Sequence, residues 1–227
     1  MRGPDPRDAH SFAPERLPVL RQAVADLSWL LGRGYSAKAS TKLVGDRFQL
    51  DGRQRHAMSR AAVADDLCAS RQRTRVTGPL PDSIWVDGFN VLITVERLLG
   101  GATVMQCRDG VLRDIGGVHG TFRPTEATER ALAAIAAVTE GVHLRWLFDA
   151  PVSNSGRAAA LVRMTANAQH LQWDADVVQS PDGVLPEAPC AATGDGPVID
   201  RCAAWVDLPA RAVPDGHILH LDERCGT

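Results

Sequence analysis

No apolar run in this chain is long enough to cross a bilayer. The longest, ALAAIAAV at 131–138, falls well short of the ~20 residues a span requires. The first ten residues, MRGPDPRDAH, are polar and rich in proline, so they do not read as a secretory signal. Together these absences predict a soluble, cytoplasmic protein without a membrane partner. Cysteines number five, and none lies in a C-x-x-C pair, so neither a disulfide framework nor a zinc ribbon is suggested. There is no G-x-G-x-x-G and no P-loop, which counts against a nucleotide-dependent transferase. Aromatic residues are few at 5%, and no internal repeat is visible.

What is present fits a globular protein with a real core: 44% hydrophobic and 23% charged residues over 227 positions, enough for one or two domains of ~150 residues. The net charge of −2 hides an uneven distribution. Residues 1–78 hold 14 Lys and Arg against 8 Asp and Glu, and the remainder holds 11 against 19. A basic nucleic-acid-binding part joined to an acidic, metal-dependent catalytic part would have this balance. A solvated surface on Arg-rich helices would have it too.

Residues 1–16 read as a disordered tail. Leu20, Val24, Leu27 and Leu31 recur at helical spacing until Gly32-Arg33-Gly34 stops the run, and helices are also expected over 36–48 and 51–67. These make a small, basic, all-α domain at 17–70, with Lys38, Lys42, Arg47, Arg53, Arg55 and Arg60 as candidates to grip phosphates. The segment RQRTRVTGPLPD (71–82) combines charge, glycine and proline, so it reads as a linker, with a second domain over 83–227.

The second domain is organised around SIWVDGFNVLITV (83–95). Ile84 to Val86 read as a buried strand, and the residues after Asp87-Gly88 read as a helix. Ligand crevices in open α/β sheets lie beyond the carboxyl ends of the strands, so Asp87 would face a site, with Asn90 aimed at the same place. An ordinary turn at Asp87-Gly88 with Asn90 as a helix cap is the plain alternative. Arg108-Asp109-Gly110 sits between two short β-like runs and predicts a hairpin with Asp109 as a turn residue; Arg113 is left as a ligand candidate. The stretch GGVHGTFR (116–123) carries His119 and could approach a ligand closely.

A helix over 125–140 and a strand over 142–148 come next, and the strand ends at Asp149. Ser153, Asn154, Ser155 and Arg157 at the next helix start could bind an anion, although simple N-capping explains the hydroxyl and amide as well. Leu171 to Val178 reads as another strand. Cys190 to Thr193 then approach Asp195, a third aspartate at a strand end, followed by a helix over 197–205 that contains Asp200. Closing strands are expected at 205–208 and 218–221.

Three aspartates at three parallel strand ends would repel one another unless a hard cation held them, and Mg²⁺ or Mn²⁺ prefers oxygen ligands. Such an ion can activate water against a phosphodiester. The phrases VDGFNVL (86–92), WLFDAPVSNSG (146–156) and AATGDGPVID (191–200) resemble the three acidic motifs of the PIN-like nucleases, particularly the NYN branch, whose first strand ends in D-G-[YF]-N. The resemblance covers 84–222, and the whole is similar to an uncharacterised prokaryotic family with a short helical domain before such a domain. It implies a PIN-like, Rossmannoid parallel-sheet α/β domain after the small all-α domain. It also implies catalytic, metal-binding Asp87, Asp149 and Asp195, with Asp200 as a further ligand, and a Mg²⁺- or Mn²⁺-dependent ribonuclease acting on RNA. One departure stands out: PIN-like enzymes usually carry another acid between the second and last motifs, and the nearest here, Asp174 and Asp176, fall in a strand.

Two other readings stay open. The same fold with a depleted site could bind RNA or a nucleotide without cutting it, and nothing decides whether the chain forms a homodimer. Covalent catalysis at Cys107 or Cys190 would need a His partner that the sequence does not specify.

Overall fold

A computed structural model describes residues 3–116 and 122–221. Along the chain, α1 (Asp8–Ser11), α2 (Leu17–Gly32), α3 (Ala37–Arg47), α4 (Gly52–Ala61) and α5 (Asp65–Thr74) come first. After them come β1 (Ser83–Asp87), α6 (Gly88–Leu99), β2 (Val104–Gln106), β3 (Leu112–Asp114), α7 (Glu126–Val138) and β4 (His143–Asp149). The remaining elements are α8 (Ser155–Gln169), β5 (Trp173–Val178), β6 (Ala191–Ala192), α9 (Gly196–Ile199), α10 (Leu208–Ala212) and β7 (Ile218–His220). The fold is mixed α/β, with a parallel sheet after an N-terminal helical region. No helix among the described residues is long and apolar enough to cross a membrane.

The chain forms two compact units. One comprises Met1–Arg73, Gly101–Ile115 and His217–Thr227; the other comprises Thr74–Gly100 and Gly116–Gly216. The first break, after Arg73, falls within the segment 71–82 expected as a linker, whereas the expected continuous domain over 83–227 needs revision. The β2–β3 hairpin lies inside 83–227 but folds with the N-terminal helices, and so does β7, which pairs parallel to β2.

The physical reason lies in apolar and ionic partners that are distant in sequence. Met105, Cys107, Ile115 and Leu219 close the core made by Leu20, Val24 and Leu27 of α2 and Ala57 and Met58 of α4. Residues 1–16, expected as a disordered tail, contain α1 and a 3₁₀ turn at Pro14–Arg16. Ser11 donates to Asp51 Oδ2 at 2.8 Å, and Asp51 caps α4 in a reciprocal box with Gln54, whose amide also donates to the Ser11 carbonyl. The expected helix over 51–67 is broken at Ala62, which turns extended, while Ser28 accepts from the Val63 N–H. The first residues of the expected linker are the end of α5, where Arg71 is buried.

Arg71 is held by Asp109, the predicted turn residue. Gly110 does turn the hairpin with a φ of 79°, yet Asp109 is fully buried. Arg113 binds its two carboxylate oxygens at 2.9 and 2.7 Å, Arg71 binds Oδ2 at 2.6 Å, and the Val111 N–H donates to Oδ1. Burial alone would raise the Asp109 pKa, but the two guanidinium groups hold it below the usual carboxylate value. Arg113 is thus a structural ion-pair residue and not the ligand contact proposed from the sequence.

In the other unit the sheet order is β5-β4-β1-β6, all parallel. One face packs Ile84, Val86, Leu144, Trp146 and Phe148 against α6, α7 and α8. The opposite face is covered by shorter pieces, with Leu147 and Ala191 against Leu185, Val198 and Cys202. Toward the strand beginnings this second face carries charge: Arg145 lies over Trp85 and pairs with Asp176, and His143 pairs with Asp174. The expected helix over 197–205 is only α9, and the strand expected at 205–208 shrinks to parallel bridges of Trp205 with Arg75 and Ala191, with Leu208 already in α10.

Replacing Asp109 with alanine leaves two buried guanidinium groups without their shared carboxylate, so a loss of about 3–5 kcal/mol is expected. Urea unfolding of wild type and variant measures it. A loss below about 1 kcal/mol would show that the triad is not what ties the hairpin to the helices.

Candidate active site

The site is set by strand register. In the parallel sheet Asp87 lies opposite Leu147 of β4, and Trp85 and Val86 lie opposite Ala191 and Ala192 of β6. Residues in register point to the same face, so continuing β6 by one residue places Thr193 beside Asp87, and Asp149, two past Leu147, emerges on that face as well. The Thr193 hydroxyl donates to Asp87 Oδ2 at 2.8 Å. It also accepts from the Asp195 N–H at 3.1 Å, and Asn90 Oδ1 accepts from the Gly194 N–H at 2.7 Å. Two side chains from β1 and α6 therefore pin the turn Thr193-Gly194-Asp195. Gly88 is needed for space more than for turning: a Cβ there would lie 2.4 Å from the Phe148 ring, which packs under the start of α6.

Electrostatically this pocket of sheet is unusual. Asp87 is buried, and that burial pushes its carboxyl up to about 7 despite the Thr193 hydrogen bond; the charges of Asp149 and Asp182 push the same way. Asp149 is also raised, by burial and then by Asp182. Sequence reasoning misses Asp182 because it sits in a short 3₁₀ turn, Pro181–Gly183, within a Pro- and Gly-rich loop that carries no periodicity. It is exposed, and its charge reaches both other acids.

The other predicted residues divide clearly. Asp195 is half-buried directly before α9, while Asp200 is exposed just after that helix. Among the described residues no three His, Cys, Asp or Glu side chains lie close enough together to hold a metal ion, so Asp87, Asp149, Asp195 and Asp200 do not form a ready-made cage. Asn154 has a left-handed φ of 70°, makes no capping bond, and donates its amide to the Phe122 carbonyl at 2.8 Å. Its role is to hold the loop around Phe122, whose N–H donates to the Ser153 carbonyl. Ser155 is buried, whereas Ser153 and Arg157 are exposed. His119 lies outside the described residues.

Cysteine chemistry is disfavoured by the same burial argument. Cys107 and Cys190 are buried free thiols, with pKa values pushed up to about 11 and about 12. Cys68 is disulfide-bonded, which the cysteine spacing did not suggest.

With this geometry in view, the chain is a two-part α/β protein with two desolvated carboxyl groups, Asp87 and Asp149, at adjacent strand ends. It belongs to the family described as Domain of unknown function (DUF5616), matched over residues 80–211, and residues 19–73 match the family described as Protein of unknown function (DUF434). It is similar to Uncharacterized protein MJ0935 of Methanocaldococcus jannaschii, 26% identical over 200 residues that cover 86% of this chain and 96% of the relative. That alignment is longer than either matched region, so it reaches into both. No solved structure matches the chain.

A carboxyl that keeps its proton to about pH 7 in the native state, against about 3.9 when unfolded, makes folding less favourable as pH rises between those values. Asp87→Asn removes that dependence. The variant is expected to gain stability over wild type at pH 8 and little at pH 4, by a few kcal/mol at most, at about 1.4 kcal/mol per pKa unit. Thermal melts at the two pH values decide it, and an equal effect at both would contradict the buried, proton-holding carboxyl.

Proposed function

We propose that this chain is a divalent-cation-dependent phosphodiesterase of the PIN-like type that acts on RNA. The observation that carries the reading is the placement of Asp87 and Asp149 on one face at the ends of adjacent parallel strands, each with its pKa raised by burial, with Asp182 acting on both. Carboxylates arranged so that they repel are costly to keep charged, and a hard cation relieves that cost. The donor set fits an ion of the Mg²⁺ type, which is commonly bound through one or two carboxylates and completes its shell with water and substrate phosphate. Asp87 and Asp149 would hold it, and it would supply a polarised water and charge neutralisation at the phosphodiester.

The chain's own groups prepare that site. Thr193 fixes the Asp87 carboxylate from one side while its hydroxyl anchors the Asp195 backbone. Asn90 keeps the same loop against α6. Asp182 lies between the second and third acidic motifs in sequence, where the resemblance to PIN-like enzymes asks for another acid; Asp174 and Asp176 are occupied with His143 and Arg145. RNA is favoured as substrate by the basic excess of residues 1–78 and by that resemblance.

A second reading, a binder on the same fold with an incomplete site, is favoured by the lack of a three-acid group among the described residues. Calorimetric titration with Mn²⁺ and incubation with a mixed RNA pool separate the two. The hydrolase should bind the ion and cleave. Since loss of partners one step removed from a metal costs about 10–100-fold, Asp149→Asn should lower cleavage by roughly 100-fold or more and Asp182→Asn by roughly tenfold or more. Failure of the wild type to bind Mn²⁺ would leave the binder reading standing.

A further inference from the structure

Away from the acidic site, the end of α2 and the turn after it carry two aromatic rings that are mostly exposed among the described residues. Trp29 is 54% exposed and Tyr35, the chain's single tyrosine, is 60% exposed. Of the other tryptophans, Trp146, Trp173 and Trp205 are buried and Trp85 is half-covered, so an open indole is the exception in this protein. The Arg33 guanidinium lies 3.5 Å from the Trp29 ring centroid, one helical turn along. Gly34 then turns the chain back with a φ of 78°, and the Tyr35 N–H donates to the Leu30 carbonyl at 3.2 Å. That bond puts the Tyr35 backbone against the residue next to Trp29.

The charge around this patch has one sign left over. Across residues 26–47 there are four basic and two acidic side chains. Both acids are already matched, Asp26 by Arg47 and Asp46 by Lys42 and Arg55. Among the described residues neither Arg33 nor Lys38, which flank Tyr35, has a carboxylate partner. Exposed rings that offer π-faces, interleaved with uncompensated cations, match the two chemistries of an unpaired polynucleotide strand: bases that stack and phosphates that need counter-charge. A protein partner would be better served by a contiguous apolar face.

We propose that Trp29, Arg33, Tyr35 and Lys38 form a stacking platform for single-stranded nucleic acid. This goes beyond the hydrolytic reading and does not depend on it, because binding needs neither the cation nor Asp87.

The test uses the full-length chain in EDTA with fluorescein-labelled 12-mers of oligo(rU) and oligo(dT), read by anisotropy at two salt concentrations. Wild type is expected to bind. Trp29→Ala and Tyr35→Ala should each weaken binding by about 5- to 100-fold, with Tyr35→Phe close to wild type. Arg33→Gln with Lys38→Gln should flatten the salt dependence by about one to two phosphates' worth. Both rings are exposed, so circular dichroism and melting should be unchanged. Preference for oligo(rU) supports an RNA platform, and equal binding of both oligomers supports a platform for single strands in general. Wild-type failure to bind either oligomer overturns the proposal, as do ring variants that bind like wild type, or self-association of the wild type that Trp29→Ala abolishes. Cleavage is read separately on the wild type with Mn²⁺ added, so failed cleavage with intact binding removes the hydrolytic reading alone.

Discussion

The register of β1 between two parallel neighbours is the constraint from which the acidic site follows. Once Asp87 pairs opposite Leu147, and Trp85 opposite Ala191, the side chains of Asp87, Thr193 and Asp149 have no choice but to share a face. A one-residue slip of β1 would send Asp87 into the apolar layer under α6 and bring Val86 to the site. The register is fixed in turn by that layer, since Ile84 and Val86 must meet Leu144, Trp146 and Phe148. The hydrophobic core thus determines where a carboxylate that the fold would otherwise avoid is placed. That carboxylate works against stability, because its main influence is desolvation and its neighbours in the site are acids. Groups kept at such a cost are characteristic of functional sites.

The two sheet faces divide the labour. Long helices seal one face with aliphatic and aromatic side chains. The other face is finished by short turns and α9, so polar groups such as Thr193 and Asp182 reach the strand ends. Parallel sheets are usually buried on both sides. Here the face finished by short pieces is also the one from which Asp87 and Asp149 emerge.

Much of this is legible in the sequence. The α/β class, the helical start, β1 and β4 with aspartates at their ends, and the hairpin all come from local periodicity and turn chemistry. The features that are not legible depend on contacts across long sequence separation. Arg71 looks like linker charge because its partner lies 38 residues on. The hairpin and β7 look like parts of one continuous domain because nothing local marks Met105 or Leu219 as belonging to the core of α2. Thr193 is hidden because its importance comes from pairing with a strand about a hundred residues earlier, and Asn154 because its amide serves a backbone carbonyl at Phe122.

The dipeptide Asp-Gly shows why local reading stops where it does. It occurs six times here, and only at Asp215 does it do nothing beyond turning the chain at the surface. Asp51 caps a helix. Asp109, with two guanidinium groups against it, remains an anion in a fully buried position. Asp87 is equally enclosed but faces a hydroxyl and two acids, so it holds its proton to near neutrality. Asp182 and Asp195 stay nearer solvent, the first close enough to act on Asp87 through charge and the second joined to it through Thr193. The sequence at each position is the same; burial and the sign of the nearest charge differ. Those two quantities separate a carboxylate that fastens a hairpin from one that can serve a cation, and both are properties of the folded neighbourhood.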